Sequence, residues 1–154
     1  MKYYKMNHEV TKDDIQKFNF NNPKIGVIAY IENNEGKILL QQRGEKSRDE
    51  IGKFACVGGS LEISDKSYKE AIIREIKEEM GNDVVIEFFR TSDILHINNN
   101  DDDFLFVIFK CKYIKGKINI MEPKKCIGYK FFEYDEAINS DMVSEGCKFI
   151  LKSI

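Results

Sequence analysis

Residues 58–81 read GGSLEISDKSYKEAIIREIKEEMG: two glycines, a polar turn, then a charged and apolar run that closes on a third glycine. Ser67 followed three residues later by Glu70 is a capping-box pattern, in which each side chain satisfies a backbone N–H that the first helical turn leaves unpaired. Gly81 supplies a residue able to take the left-handed conformation that ends a helix, so the spacing predicts a helix over Tyr68–Met80. At about 100° per residue, Ile72, Ile73, Ile76 and Met80 fall on one side and are expected to face a core. Glu75, Glu78 and Glu79 fall on another side. Like charges at i, i+4, as in Glu75 and Glu79, cost a helix some tenths of a kcal/mol, so something must compensate. Glu70–Arg74 and Arg74–Glu78 are i, i+4 pairs of opposite sign and supply part of it locally. A hard divalent cation such as Mg²⁺, which takes carboxylate, water and phosphate oxygens, is the alternative that the three glutamates leave open.

The order Gly58-Gly59, Glu62, capped helix, then Arg74-Glu75-Ile76-x-Glu78-Glu79-x-Gly81 resembles the signature box of the Nudix hydrolases. Three positions depart from that pattern. One extra residue stands between Gly59 and Arg74, Lys66 stands where a glutamate is usual eight residues before the arginine, and Asn82 replaces an apolar residue. A one-residue insertion, with Asp65 taking the place of the missing glutamate, restores the match. Gly52-Lys53-Phe54-Ala55-Cys56-Val57 is similar to the family's approach to the helix, with Phe54 at an aromatic position. Glu122-Pro123-Lys124-Lys125-Cys126, followed by Tyr129 and Phe131, is similar to a segment of several nucleotide-cleaving members.

The resemblance implies an α/β/α sandwich around a mixed sheet and a metal-dependent hydrolysis of the pyrophosphate in a nucleoside diphosphate linked to another group. It implies Mg²⁺, with Mn²⁺ as a substitute. Glu75, Glu78 and Glu79 would be the carboxylate ligands, the Gly58 carbonyl a further one, and Arg74 the residue orienting a glutamate through a bidentate pair. Arg43, Lys53 and Phe54 are candidate substrate contacts. Asp101–Asp103 and Glu122 are candidates for a further acid remote from the box, with a solvated loop as the competing reading of 101–103. His96 stays unassigned, and Tyr129 and Phe131 are core candidates as well as stacking candidates. A Nudix-fold binding or regulatory domain that has lost turnover is the second reading, motivated by the altered loop.

The rest of the chain bounds these expectations. A length of 154 residues suits one domain, and 42% hydrophobic with 32% charged residues is ordinary for a globule. Net charge −2 argues against broad nucleic-acid binding, which needs a basic surface. The apolar runs near 25–31 and 104–109 are too short to span a bilayer, and the N-terminus lacks a signal-peptide core, so a cytoplasmic protein without membrane contact is expected. A homodimer is left open. Cys56, Cys111, Cys126 and Cys147 have no paired spacing and are expected to be reduced, mostly buried thiols. Residues 1–23 read as an N-terminal extension to a domain over 24–154, with Thr11 as a helix cap. Ile25–Glu32 and Lys37–Arg43 read as a hairpin, and 44–51 as a loop. Further strands are expected near 84–91, 104–113, 117–120 and 129–134. Val143, Cys147, Ile150, Leu151 and Ile154 predict a closing helix capped by Ser144.

Overall fold

A computed structural model of the protein describes residues 1–47, 49–99 and 102–154. In chain order the elements are β1 (Lys2–Tyr4), α1 (Lys12–Lys17), β2 (Lys24–Glu32), β3 (Ile38–Arg43), β4 (Phe54–Ala55) and β5 (Val57–Ser60). Then follow α2 (Tyr68–Met80), β6 (Val85–Asn99), β7 (Asp102–Lys115), β8 (Cys126–Phe132), α3 (Tyr134–Asn139) and α4 (Glu145–Ser153).

One sheet runs β1-β6-β7-β2-β3-β4, with β5 also on β2 and β8 also on β3. β2 and β7 are parallel while the other pairs are antiparallel, so the sheet is mixed. Strand alternation explains the two covered faces. Val27, Ala29 and Ile31 of β2 and Leu39 of β3 pack with Ile72, Ile76 and Met80 of α2, and Ile15 of α1 joins that layer. Tyr30, Ile38 and Leu40 point the other way and pack with Cys147, Ile150 and Leu151 of α4. The result is the expected α/β/α sandwich.

Helix α2 has the expected bounds. The Ser67 hydroxyl accepts from the Glu70 N–H at 3.1 Å, and Gly81, at φ 88°, donates its N–H to the Lys77 carbonyl at 3.0 Å. Only that half of the capping box forms among the described residues, since the Glu70 side chain stays in solvent. Ser67→Ala should cost about 1 kcal/mol, read as a lower urea midpoint, because one orphan N–H loses its acceptor. Ile73 departs from expectation. It is 36% exposed, because the buried stripe runs through Tyr68, Ala71, Ile72, Ile76 and Met80 and leaves residue 73 beside it.

Other expectations need correction. The hairpin touches only at Glu32↔Ile38; beyond it β2 turns to β5 and β7, and β3 turns to β4 and β8. Residues 117–120 form no strand. The N–H groups of Asn119 and Met121 instead bind the Met80 and Glu79 carbonyls, at 3.0 and 3.3 Å, and so satisfy the C-terminal end of α2. Residue 134 begins α3 rather than ending a strand. The polar cluster at 98–103 is not simply a loop: Asp102 and Asp103 open β7, and Asp103 accepts from the Asn21 N–H at 3.2 Å and pairs with His96 at 3.0 Å. Asp101 lies outside the described residues. The N-terminal segment is woven into the fold, with β1 antiparallel to β6 and the Tyr3 hydroxyl bound to buried Asp93 at 2.7 Å. No helix of the described residues is long and apolar enough to cross a membrane.

Candidate active site

Arg74 is the hub of the acidic face of α2. Its Nε and Nη2 donate to the two oxygens of Asp65 at 3.0 and 2.9 Å, a bidentate pair. Nη1 reaches Glu75 at 3.0 Å, Glu78 at 3.2 Å and Glu62 at 3.3 Å, and Nη2 also binds the Ser60 carbonyl at 3.1 Å. The Arg74 side chain is 19% exposed and that of Asp65 only 3%, so this pair is held out of water. Asp65 also accepts from the Glu62 N–H at 2.8 Å. The Arg74 guanidinium keeps the Asp65 carboxyl below the usual carboxylate range, and in turn the Arg74 guanidinium is pushed up chiefly by Asp65. The bidentate partner of Arg74 is thus Asp65, not a glutamate. Arg74 meets Glu75 and Glu78 by single bonds.

Glu79 is different. It is 9% exposed, and its Oε2 is buried without a hydrogen-bond partner among the described residues. Burial, followed by the charges of Glu75 and Glu122, raises its pKa to about 8, against the opposing pull of Lys125. Burial also raises Glu75, and Arg74 offsets part of that rise. An orphaned oxygen on a desolvated carboxylate beside a second carboxylate suits a hard divalent cation, which would satisfy the atom and the charge together. Among the described residues, no three Asp, Glu, His or Cys side chains converge on one point as they stand. Arg74 draws Glu75 and Glu78 toward itself.

Glycines give these groups room. A Cβ at Gly59 would stand 2.3–2.5 Å from the Glu75 carboxylate, and one at Gly58 would stand 2.3 Å from the Val27 carbonyl oxygen. Gly59→Ala should thus displace Glu75 and weaken divalent-cation binding about tenfold, measured by titration calorimetry, while the fold survives.

A cleft of about 430 Å³ opens beside Glu79, lined by Gly58, Gly59, Gln41, Arg43, Lys46 and Lys125 among others. Of the expected substrate contacts only Arg43 lies there, paired with Asp49. Lys53 pairs with Glu50 at 3.8 Å, and Phe54 packs edge-on against Phe132 at 5.0 Å in the α4-side core, so neither lines that cleft. Nor do His96 and Asp103. Glu122, a candidate acid, lies close enough to act on Glu79 and holds Lys125 at 3.3 Å. Tyr129 donates its hydroxyl to the Glu79 carbonyl at 3.0 Å, and Phe131 packs on Tyr113 at 5.5 Å, so both serve structure. Lys46, Gln41 and Lys125 had no role in the sequence reading; Lys125 alone carried a signal, within the segment 122–126.

The chain belongs to the NUDIX domain family, whose profile matches residues 22–150. Over 57 residues it is 44% identical to the CTP pyrophosphohydrolase of Escherichia coli (strain K12), a match spanning 37% of this chain and 41% of that relative. The chain thus aligns with about two fifths of the curated relative. Among solved structures, the MutT protein of Methanosarcina mazei Go1 is similar at TM-score 0.70 and 23% identity, covering 88% of this chain and 95% of that one. The MutT NUDIX hydrolase of Burkholderia pseudomallei is similar at TM-score 0.69 and 22% identity, covering 87% and 99%.

Proposed function

We propose that the protein is a divalent-metal-dependent pyrophosphohydrolase that splits the diphosphate of a nucleoside triphosphate or a related nucleoside diphosphate derivative. The observation that carries this reading is the buried Glu79 carboxylate oxygen, unpartnered among the described residues, next to a cleft walled by Arg43, Lys46 and Lys125. Negative phosphate oxygens need cations around them, and the three side chains offer them. The named activity of the partial relative supports a nucleoside triphosphate as the first substrate to test.

Glu75, Glu78, Glu79 and the Gly58 carbonyl would hold Mg²⁺ or Mn²⁺. Bound there, the ion would draw charge from the pyrophosphate oxygens and lower the pKa of water. The protein's own contributions are separate. Asp65 locks the Arg74 guanidinium, and Arg74 fixes where Glu75 and Glu78 point. Glu78, the most exposed of the acidic trio, would take a proton from an attacking water. Lys125 and Arg43 would orient the phosphates, and Gly59 keeps Glu75 in place by leaving it room.

The test is nucleoside monophosphate and pyrophosphate release from CTP, the other nucleoside triphosphates, ADP-ribose and nucleotide sugars, with Mg²⁺, Mn²⁺ or chelator. Metal-dependent cleavage of at least one compound is expected. Silence across the set, from folded protein shown to bind Mg²⁺, would leave a binding domain instead.

A further inference from the structure

Two thiols that the proposed chemistry does not use face each other in the protein interior, one of them at the wall of the cleft. The Sγ atoms of Cys56 and Cys147 are 3.5 Å apart, although 91 residues separate them in the chain. Both are buried, at 9% and 3% exposure, and Cys56 also borders the cleft that holds Glu79. The other two cysteines are occupied elsewhere: Cys111 donates to the Phe109 carbonyl at 3.6 Å and Cys126 to the Gly128 carbonyl at 3.3 Å.

We infer that Cys56 and Cys147 form a redox-modification site, closing to a disulfide in the presence of a peroxide and reopening with a thiol. The backbone favours it. The Phe54 N–H donates to the Met142 carbonyl at 2.7 Å and the Ser144 N–H to the Phe54 carbonyl at 2.9 Å, pinning β4 to the entry of α4, with Phe54 two residues from Cys56 and Ser144 three from Cys147. The Cys147 N–H binds the Ser144 cap at 3.3 Å, which fixes the first turn that carries its thiol. Closing from 3.5 Å to the bonded distance of about 2.05 Å then needs side-chain movement more than backbone movement.

The step balances with one peroxide. The Cys56 thiolate attacks an O–O bond, giving a sulfenic acid and releasing hydroxide; Cys147 sulfur then attacks that sulfur, the S–O bond breaks and water leaves. Two thiols and one hydrogen peroxide yield one disulfide and two waters. Cys56 alone of the two borders the Glu79 cleft and is the more exposed, so it is the thiol that a small peroxide reaches first. Its pKa is pushed up by the Cys147 thiol and by burial, so the reaction is slow and demands sustained oxidant.

The consequence is a cross-link between β4–β5, which leads into Gly58 and Gly59, and α4 on the far face of the sheet. It would close a loop across 91 residues, which restricts the unfolded chain. The thermal midpoint of the oxidised protein should rise by roughly 5 to 10 °C and fall back with dithiothreitol.

The full-length native protein is treated with hydrogen peroxide, alkylated without reduction and digested with trypsin. The expected product is residues 54–66 joined to residues 131–148, two hydrogens lighter than the separate fragments, restored by dithiothreitol and missing from Cys147→Ser and Cys56→Val. The fragment map of the unsubstituted protein decides the matter even if a variant misfolds. Oxidation of Cys111 or Cys126 in preference, or a 54–66/131–148 link that appears only after denaturant, would overturn the inference.

Discussion

Glu79→Gln is expected to make the metal-free protein more stable at pH 8 while lowering its metal-dependent turnover by on the order of a hundred- to a thousandfold. Folded Glu79 holds its proton up to about pH 8, against 4.5 for an ordinary glutamate. Between those values the folded state binds a proton that the unfolded chain releases, so stability falls as pH rises, by up to about 1.4 kcal/mol per unit. Glutamine has no such proton. At pH 5 the two proteins should have similar stability in chelator, and at pH 8 the variant should lead by on the order of 2 to 4 kcal/mol, read from urea unfolding. Adding Mg²⁺ should stabilise the parent by mass action and leave the variant unmoved. A parent whose stability in chelator does not fall between pH 5 and pH 8 would sink the assignment of Glu79 as a strained, desolvated carboxylate. The pairing of gained stability with lost activity is the mark of a residue kept for its ligand.

Helix α2 was readable from sequence because every signal it uses lies within residues 67–81. The Ser67 cap, the Gly81 stop and the apolar period all act locally. Ile73 misled, as did the Glu70 half of the capping box; the stripe is set by which side of α2 meets β2, and that is a tertiary fact. The two-residue β4 and the glycine-containing β5 carry no period of their own; they exist because Phe54 pairs with Gln42 and Gly58 with Ile28. The misread 117–120 segment has strand-like residues whose N–H groups found better use on the end of α2. Site residues followed the same division. The acidic trio and Arg74 share one helix and were visible as spacing. Gln41, Lys46 and Lys125 arrive from β3, the loop after it and the segment before β8, and only the folded sheet brings them to Glu79.

Asp65 is where the departure from the family pattern has its sharpest consequence. If the extra loop residue had disabled the box, Lys66→Glu should raise turnover strongly. The geometry argues the reverse. Lys66 is exposed, while Asp65 already grips Arg74 with both oxygens and takes the Glu62 N–H besides. Lys66→Glu should therefore change turnover by less than about threefold, the scale of a surface substitution. Asp65→Asn should do the damage. It leaves a largely buried guanidinium facing a neutral amide, where breaking such a pair costs about 2 to 3 kcal/mol, below the full figure because Arg74 keeps partial solvent access and other acceptors. With its anchor gone, Arg74 swings toward Glu75 and Glu78, and cation affinity should fall about a hundredfold, as when a group behind a metal ligand is lost. Calorimetric Mg²⁺ titration of both variants separates the cases. A strong gain from Lys66→Glu, or full cation affinity in Asp65→Asn, would mean that Arg74 does not govern the acidic face and that the loop is impaired after all.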